Sequence, residues 1–169
     1  MNRTDNLRAA DASSAQESST GKCVLLVDDD PTVRDSLAAV LEAEGHAVVP
    51  AEDGLQALNL MSTTPIDLVL LDLNMPRKGG WDTFERLSAE HPLVPVIVIT
   101  ARPNQLFTAV NAGVGALLEK PLDIPMLLVT MKRLLAEPVE AHLKRLAGRS
   151  AHFYHSTGRA GLQGKTPPL

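Results

Sequence analysis

The sequence predicts an α/β fold in which a parallel sheet is covered by helices on both sides. Three observations carry that prediction. Short runs rich in Val, Leu and Ile recur between Lys22 and Leu135, amphipathic helical patterns alternate with them, and the chain is 44% hydrophobic with only 3% aromatic residues, so the core has to be aliphatic. Strands that are apolar throughout are buried on both faces, which is the habit of parallel sheets in alternating β and α chains. A length of 169 residues leaves room for one ordinary domain and short extensions.

The elements follow in order. Cys23–Val27 is a continuous apolar run closed by Asp28-Asp29-Asp30 and Pro31, and reads as a first strand. Val33, Leu37, Val40 and Leu41 then recur on one helical face, with Asp30 as cap, Pro31 at the first helical position and Gly45 as the stop. His46–Ala51 is a second strand and Gly54–Met61 a short helix. Ile66–Leu73 is a third strand, and Trp81, Phe84 and Leu87 mark the helix after Gly79-Gly80. Pro95–Ile99 is a fourth strand closed by Thr100. A helix over Pro103–Asn111 stops at Gly113, and Ala116–Glu119 is a fifth strand. Asp123 caps a last helix carrying Ile124, Leu127, Leu128, Met131 and Leu135. Right-handed crossovers place the carboxyl ends of all five strands on one rim.

The flanks read differently. Residues 1–21 hold six Ser and Thr among scattered charges and only Leu7 as a large aliphatic, too little apolar surface to offset ordering entropy, so a disordered tail is expected. The folded domain is expected over 22–137. Residues 138–169 form a basic tail in which Lys144, Arg145, Arg149, Arg159 and Lys165 stand against Glu140. Val139, Leu143 and Leu146 suit one short amphipathic helix, and the sequence after Gly148 reads as disordered. Such a tail is shorter than the roughly 60 residues of a helix-turn-helix output domain, which makes DNA binding unexpected. A formal charge of −4 argues against non-specific nucleic-acid binding by the whole chain. The single cysteine, Cys23, excludes an internal disulfide, and its place in a strand suits packing rather than redox sensing. The five histidines lack zinc spacing. With no apolar run near the ~18 residues of a membrane span and no secretory signal, a cytoplasmic setting is expected.

In open α/β sheets, ligands bind beyond the carboxyl ends of the strands, where strand order reverses. The residues there are Asp28 and Asp29 after the first strand, Asp72 at the end of the third with Asn74 two residues on, Thr100 after the fourth and Lys120 after the fifth. Three carboxylates this close repel when ionised, which favours a retained proton or a bound cation. A hard divalent ion such as Mg2+ suits one or two carboxylates with waters and phosphate oxygens. Asp72 is the natural nucleophile, since an Asp carboxylate can form an acyl phosphate.

Four segments, Val24–Asp29, Val69–Pro76, Ile97–Ala101 and Glu119–Pro121, each at a strand end and in this order, resemble the receiver domain of bacterial two-component response regulators. The resemblance covers about Lys22 to Leu135. It implies a flavodoxin-like, doubly wound fold with a five-stranded parallel sheet of order 2-1-3-4-5. It implies further that Asp72 accepts a phosphoryl group from a sensor histidine kinase or a histidine phosphotransfer protein. Asp29, Asp72 and the main-chain carbonyl of Asn74 would hold Mg2+, with Asp28 acting through water. Lys120 would pair with Asp72 and then with a phosphoryl oxygen, and Thr100 would bond the phosphoryl group and move when it arrives.

Output is then expected through protein contacts by a single-domain regulator. A transcription regulator or adaptor using the basic tail, and a pseudo-receiver that never takes phosphate, remain as alternatives. An Asp-nucleophile phosphatase is disfavoured, because Asn74 stands where such enzymes need a general acid. One departure concerns the switch: family members usually carry an aromatic residue three positions before the lysine, and here that residue is Leu117. Leu117 is expected to move as an aliphatic plug. Arg77, Lys78 and Arg102 add cations near the site, either as solvated loop charges or as a screen over the phosphoryl group.

Overall fold

The structure is a computed structural model and describes residues 21–76, 79–102, 104–148 and 153–157. Its elements alternate from the start: β1 (Cys23–Val27), α1 (Pro31–Ala43), β2 (Ala47–Ala51), α2 (Gly54–Thr63), β3 (Leu68–Asp72), α3 (Gly80–Glu90), β4 (Val96–Thr100), α4 (Leu106–Asn111), β5 (Ala116–Glu119) and α5 (Ile124–Leu135). Two further elements, α6 (Val139–Leu146) and β6 (Tyr154–Ser156), follow.

Local chemistry accounts for the helix starts. The Asp30 carboxylate accepts from the Thr32 and Val33 amides with Pro31 at the first position of α1, and Asp123 does the same for Met126 at α5. Gly45, with φ 86°, lies just past the end of α1 in the left-handed region that glycine enters without steric cost.

All neighbouring strands pair in parallel, in the order β2-β1-β3-β4-β5-β6. The first five strands have the expected order, and the sheet gains a sixth at its β5 edge. The expectation of disorder after Gly148 is therefore corrected at Tyr154–Ser156, which pair in register with Ala116–Leu118. The fourth helix starts at Leu106 rather than Pro103, which lies outside the described residues, as do residues 1–20, Arg77, Lys78 and 158–169.

Strand residues alternate between two apolar layers. Leu25, Val27, Val69, Leu71, Val98 and Leu117 meet Ala57, Leu58, Phe84, Leu87 and Ala109 of α2, α3 and α4. Val24, Leu26, Leu70, Ile97, Ile99 and Leu118 meet Leu37, Leu41, Leu127 and Met131 of α1 and α5. Each such aliphatic side chain, fully withdrawn from water, stabilises the fold by about 2 kcal/mol. The strands are apolar because both faces are covered, so polar side chains are left for the ends. Strand order reverses at β1, between β2 and β3, and the carboxyl ends of β1, β3, β4 and β5 open beside that reversal.

Candidate functional site

Asp28, at the end of β1, and Asp72, the last residue of β3, are both buried, at 3% and 2% exposure. They are held in matching ways. One oxygen of each accepts a backbone amide two residues on: Asp30 N to Asp28 Oδ1 and Asn74 N to Asp72 Oδ1, both at 2.9 Å. The other oxygen of each accepts from Lys120 Nζ, at 3.2 Å for Asp28 and 2.8 Å for Asp72. Arg34 of α1 adds a further hold, donating from Nη1 to the Asp28 carbonyl at 2.7 Å.

One ammonium thus serves two buried carboxylates. Burial alone would push the Lys120 ammonium down, but the hydrogen bond and charge of Asp72, with those of Asp28, outweigh it and hold it above the ordinary lysine range. The lysine therefore stays charged. The peptide bond from Lys120 to Pro121 is cis, a feature not read from the sequence.

Asp29 is exposed, and it brings a carboxylate oxygen within 4.8 Å of those of Asp28 and Asp72. The donor set is all oxygen, carries three formal negative charges against one lysine, and is open to water on the Asp29 side. It fits a hard divalent cation that keeps part of its hydration.

Thr100, the last residue of β4, is fully buried. Its hydroxyl accepts from the Arg102 amide at 3.0 Å and donates to Asn74 Oδ1 at 3.4 Å. The Asn74 side chain thus reaches across from the β3 loop to β4. All of Asp28, Asp29, Asp72, Asn74, Thr100 and Lys120 converge on the one rim. Leu117 lies two residues deeper, fully buried, with Val98 of β4 in register on one side and His155 of β6 on the other.

Sequence reasoning missed a second ionic cluster. Arg145 of α6 donates to both oxygens of Glu137 at 2.5 Å and to His142 Nδ1 at 2.6 Å. His142 Nε2 meets the Pro92 carbonyl at 2.7 Å, so Nε2 carries the proton and Nδ1 accepts. It missed as well the pair between His155 Nε2 and Glu119 Oε1 at 3.1 Å. Burial, and then the charge of Asp67, push the Cys23 thiol up, away from the reactive thiolate.

A family model described as the response regulator receiver domain matches residues 24–132. The transcriptional regulatory protein CpxR of Escherichia coli (strain K12) is 41% identical over 114 residues, which is 66% of this chain and 48% of that protein. Response regulator MprA of Mycobacterium sp. (strain KMS) is 37% identical over the same length, 50% of that protein. The chain thus spans about half the length of the curated relatives it matches.

Among solved structures, a CheY-like receiver domain protein from Methanospirillum hungatei JF-1 superposes with a TM-score of 0.64 at 29% identity, covering 68% of this chain and 94% of that one. Response regulator TrrA from Thermotoga maritima, solved in complex with Mg2+ and BeF, gives a TM-score of 0.63 at 27% identity, covering 67% and 98%. Similarity to a transcriptional regulatory protein stands against the expectation that DNA binding is remote, which rested on the length of the tail and the net charge. No helix among the described residues is long and apolar enough to cross a membrane. With the match spanning most of β1 through α5 and the strand-end residues gathered on one rim, the chain belongs to the response regulator receiver domain family.

Proposed function

We propose that Asp72 is the phosphoacceptor of a two-component signalling step, taking a phosphoryl group from a phosphohistidine on a sensor kinase or phosphotransfer protein. One observation carries this reading: Asp72 is a buried carboxylate at the reversal of strand order, fixed by Lys120 at 2.8 Å and by the Asn74 amide at 2.9 Å, beside the open acidic face of Asp29. In the transfer, an Asp72 oxygen forms a bond to phosphorus as the P–N bond of the donor breaks, and the imidazole leaves with the electron pair.

Charge in the loose transition state spreads over the equatorial oxygens, so rate comes from positioning and electrostatic stabilisation. Lys120 pairs with one of those oxygens as it gives up Asp72. The Thr100 hydroxyl, now turned to Asn74, reaches another. Asp29, Asp72 and the Asn74 carbonyl, with Asp28 through water, would hold Mg2+, which would supply a further counter-charge. Signalling then passes through contacts with a protein partner.

Labelling of the full chain by acetyl phosphate with Mg2+ tests the assignment. Wild type takes up one phosphoryl group and Asp72→Asn takes up none. Lys120→Ala slows uptake by about 100-fold or more, the usual cost of removing one such donor. Undiminished labelling of Asp72→Asn would refute the assignment.

A further inference from the structure

β6 is held between two bodies. On one face of the sheet Tyr154 lies beneath the Arg133 guanidinium of α5, 5.5 Å from the ring centroid, and on the other Phe153, just before the strand, packs on the apolar cluster that contains Leu117. On its inner side it pairs with β5, and His155 Nε2 meets Glu119 Oε1 at 3.1 Å. Glu119 directly precedes Lys120 and lies in register with Thr100. The Lys120 amide donates to the Thr100 carbonyl at 2.8 Å. The two residues that must re-pair around a phosphoryl group therefore flank the one side chain of β5 that grips β6.

α6 is anchored elsewhere, through Arg145 to Glu137, His142 to the Pro92 carbonyl, and Leu146 against Gly113. Gly113 has φ 76°, and a Cβ there would come within 2.9 Å of the Leu146 backbone, so the turn before β5 and the end of α6 are in close contact. None of these anchors touches the acidic rim.

We propose that α6 and β6 form an output strap, docked on the β5 edge before phosphorylation and released at β6 when the phosphoryl group draws Lys120 and Thr100 into new contacts. This rests on phosphorylation at Asp72. Glu119 shifts with its neighbours, β6 stays with α5, and a hydrogen bond of 3.1 Å tolerates little stretch. With Leu117 sealed on both sides in register, the moving part is the strand beyond it rather than Leu117 itself. A three-residue strand is the element of this sheet with least to lose on opening. Its release bares the backbone edge of Ala116–Leu118 while α6 keeps the strap tethered.

Amide hydrogen exchange on the full chain, with and without beryllofluoride and Mg2+, tests the strap. The amides of Asn74 and Arg102 report binding at the rim. Exchange at residues 154–156 is expected to rise about tenfold or more while residues 139–146 keep their rates. A response at the rim with no change in β6 would overturn the strap and leave the phosphoacceptor standing. No response at the rim would remove both. Coupling is reciprocal, so His155→Ala is expected to tighten beryllofluoride binding about fivefold or more. Unchanged affinity in that variant would contradict the strap.

Discussion

Two buried ionic clusters sit at opposite rims of the sheet, and they are finished to different degrees. At the carboxyl rim, Asp28 and Asp72 share the ammonium of Lys120, and the exposed Asp29 adds a third carboxylate beside them. At the amino rim, Glu137 meets Arg145, and His142 completes the set as a neutral ring bonded to a carbonyl. The second cluster balances its charge from its own residues, with only Arg145 Nε left as a buried donor without a partner. The first is short of positive charge by design of its residues. A balanced cluster holds two elements together, whereas an unbalanced one changes its structure when an ion or phosphoryl group arrives.

The sharpest contrast comes from removing the cation of each cluster. Lys120→Met leaves two buried carboxylates facing each other, and the lysine is about a quarter exposed, so the loss falls somewhat below that of a fully buried pair. We expect about 2–3 kcal/mol, a fall in Tm on the order of 5–10 °C, with part of it restored by millimolar Mg2+. Arg145→Met strands Glu137 and also lowers Tm, but Mg2+ restores nothing. Thermal melts with and without Mg2+ measure both. Equal Mg2+ response in the two variants would erase the distinction.

A smaller effect of opposite sign belongs to Asp29→Asn. Without divalent ion, removing one of three crowded charges raises Tm by about 2 °C, and the Mg2+-dependent rise seen in wild type shrinks. A lower Tm would mean that the carboxylates are not crowded in solution.

The mildest prediction concerns pH at the amino rim. Burial is the main cause that holds the His142 ring below the ordinary histidine range, and the Arg145 guanidinium adds to it, against the Pro92 carbonyl and the Glu137 carboxylate. A depressed histidine contributes stability that is fully present above its unfolded pKa of 6.5 and is lost as pH falls below that value. The protection of the 139–146 amides, taken relative to the intrinsic exchange rate at each pH, is therefore expected to fall below pH 6.5 in wild type and to stay flat in His142→Gln. A wild-type profile flat from pH 8 to pH 5 would count against a neutral ring at this position.

The carboxyl rim was legible in the sequence because its residues announce themselves locally. Asp28, Asp72 and Thr100 each end an apolar run, Lys120 follows one a residue later, and a buried parallel strand has few other places for a polar side chain. The five-strand order followed from the resemblance, and the caps Asp30 and Asp123 from their place before Pro31 and Ile124. The amino rim was not legible. Pro92 lies 50 residues from His142, and a lone histidine in a basic stretch carries no sign of a carbonyl waiting for it. β6 was missed for a related reason. Tyr154, His155 and Ser156 make no apolar run, and their strand exists only because β5 offers an unpaired edge. The grip of His155 on Glu119 likewise depends on pairing across 36 positions.

The central claim is that Asp72, rather than either neighbouring acid, receives the phosphoryl group. Borohydride reduces an acyl phosphate to the alcohol, so treating the acetyl phosphate-labelled chain and mapping its peptides marks the acceptor by conversion of aspartate to homoserine. We predict homoserine at position 72 alone, dependent on Mg2+. Homoserine at position 28 or 29, or none anywhere in the labelled chain, would contradict the account.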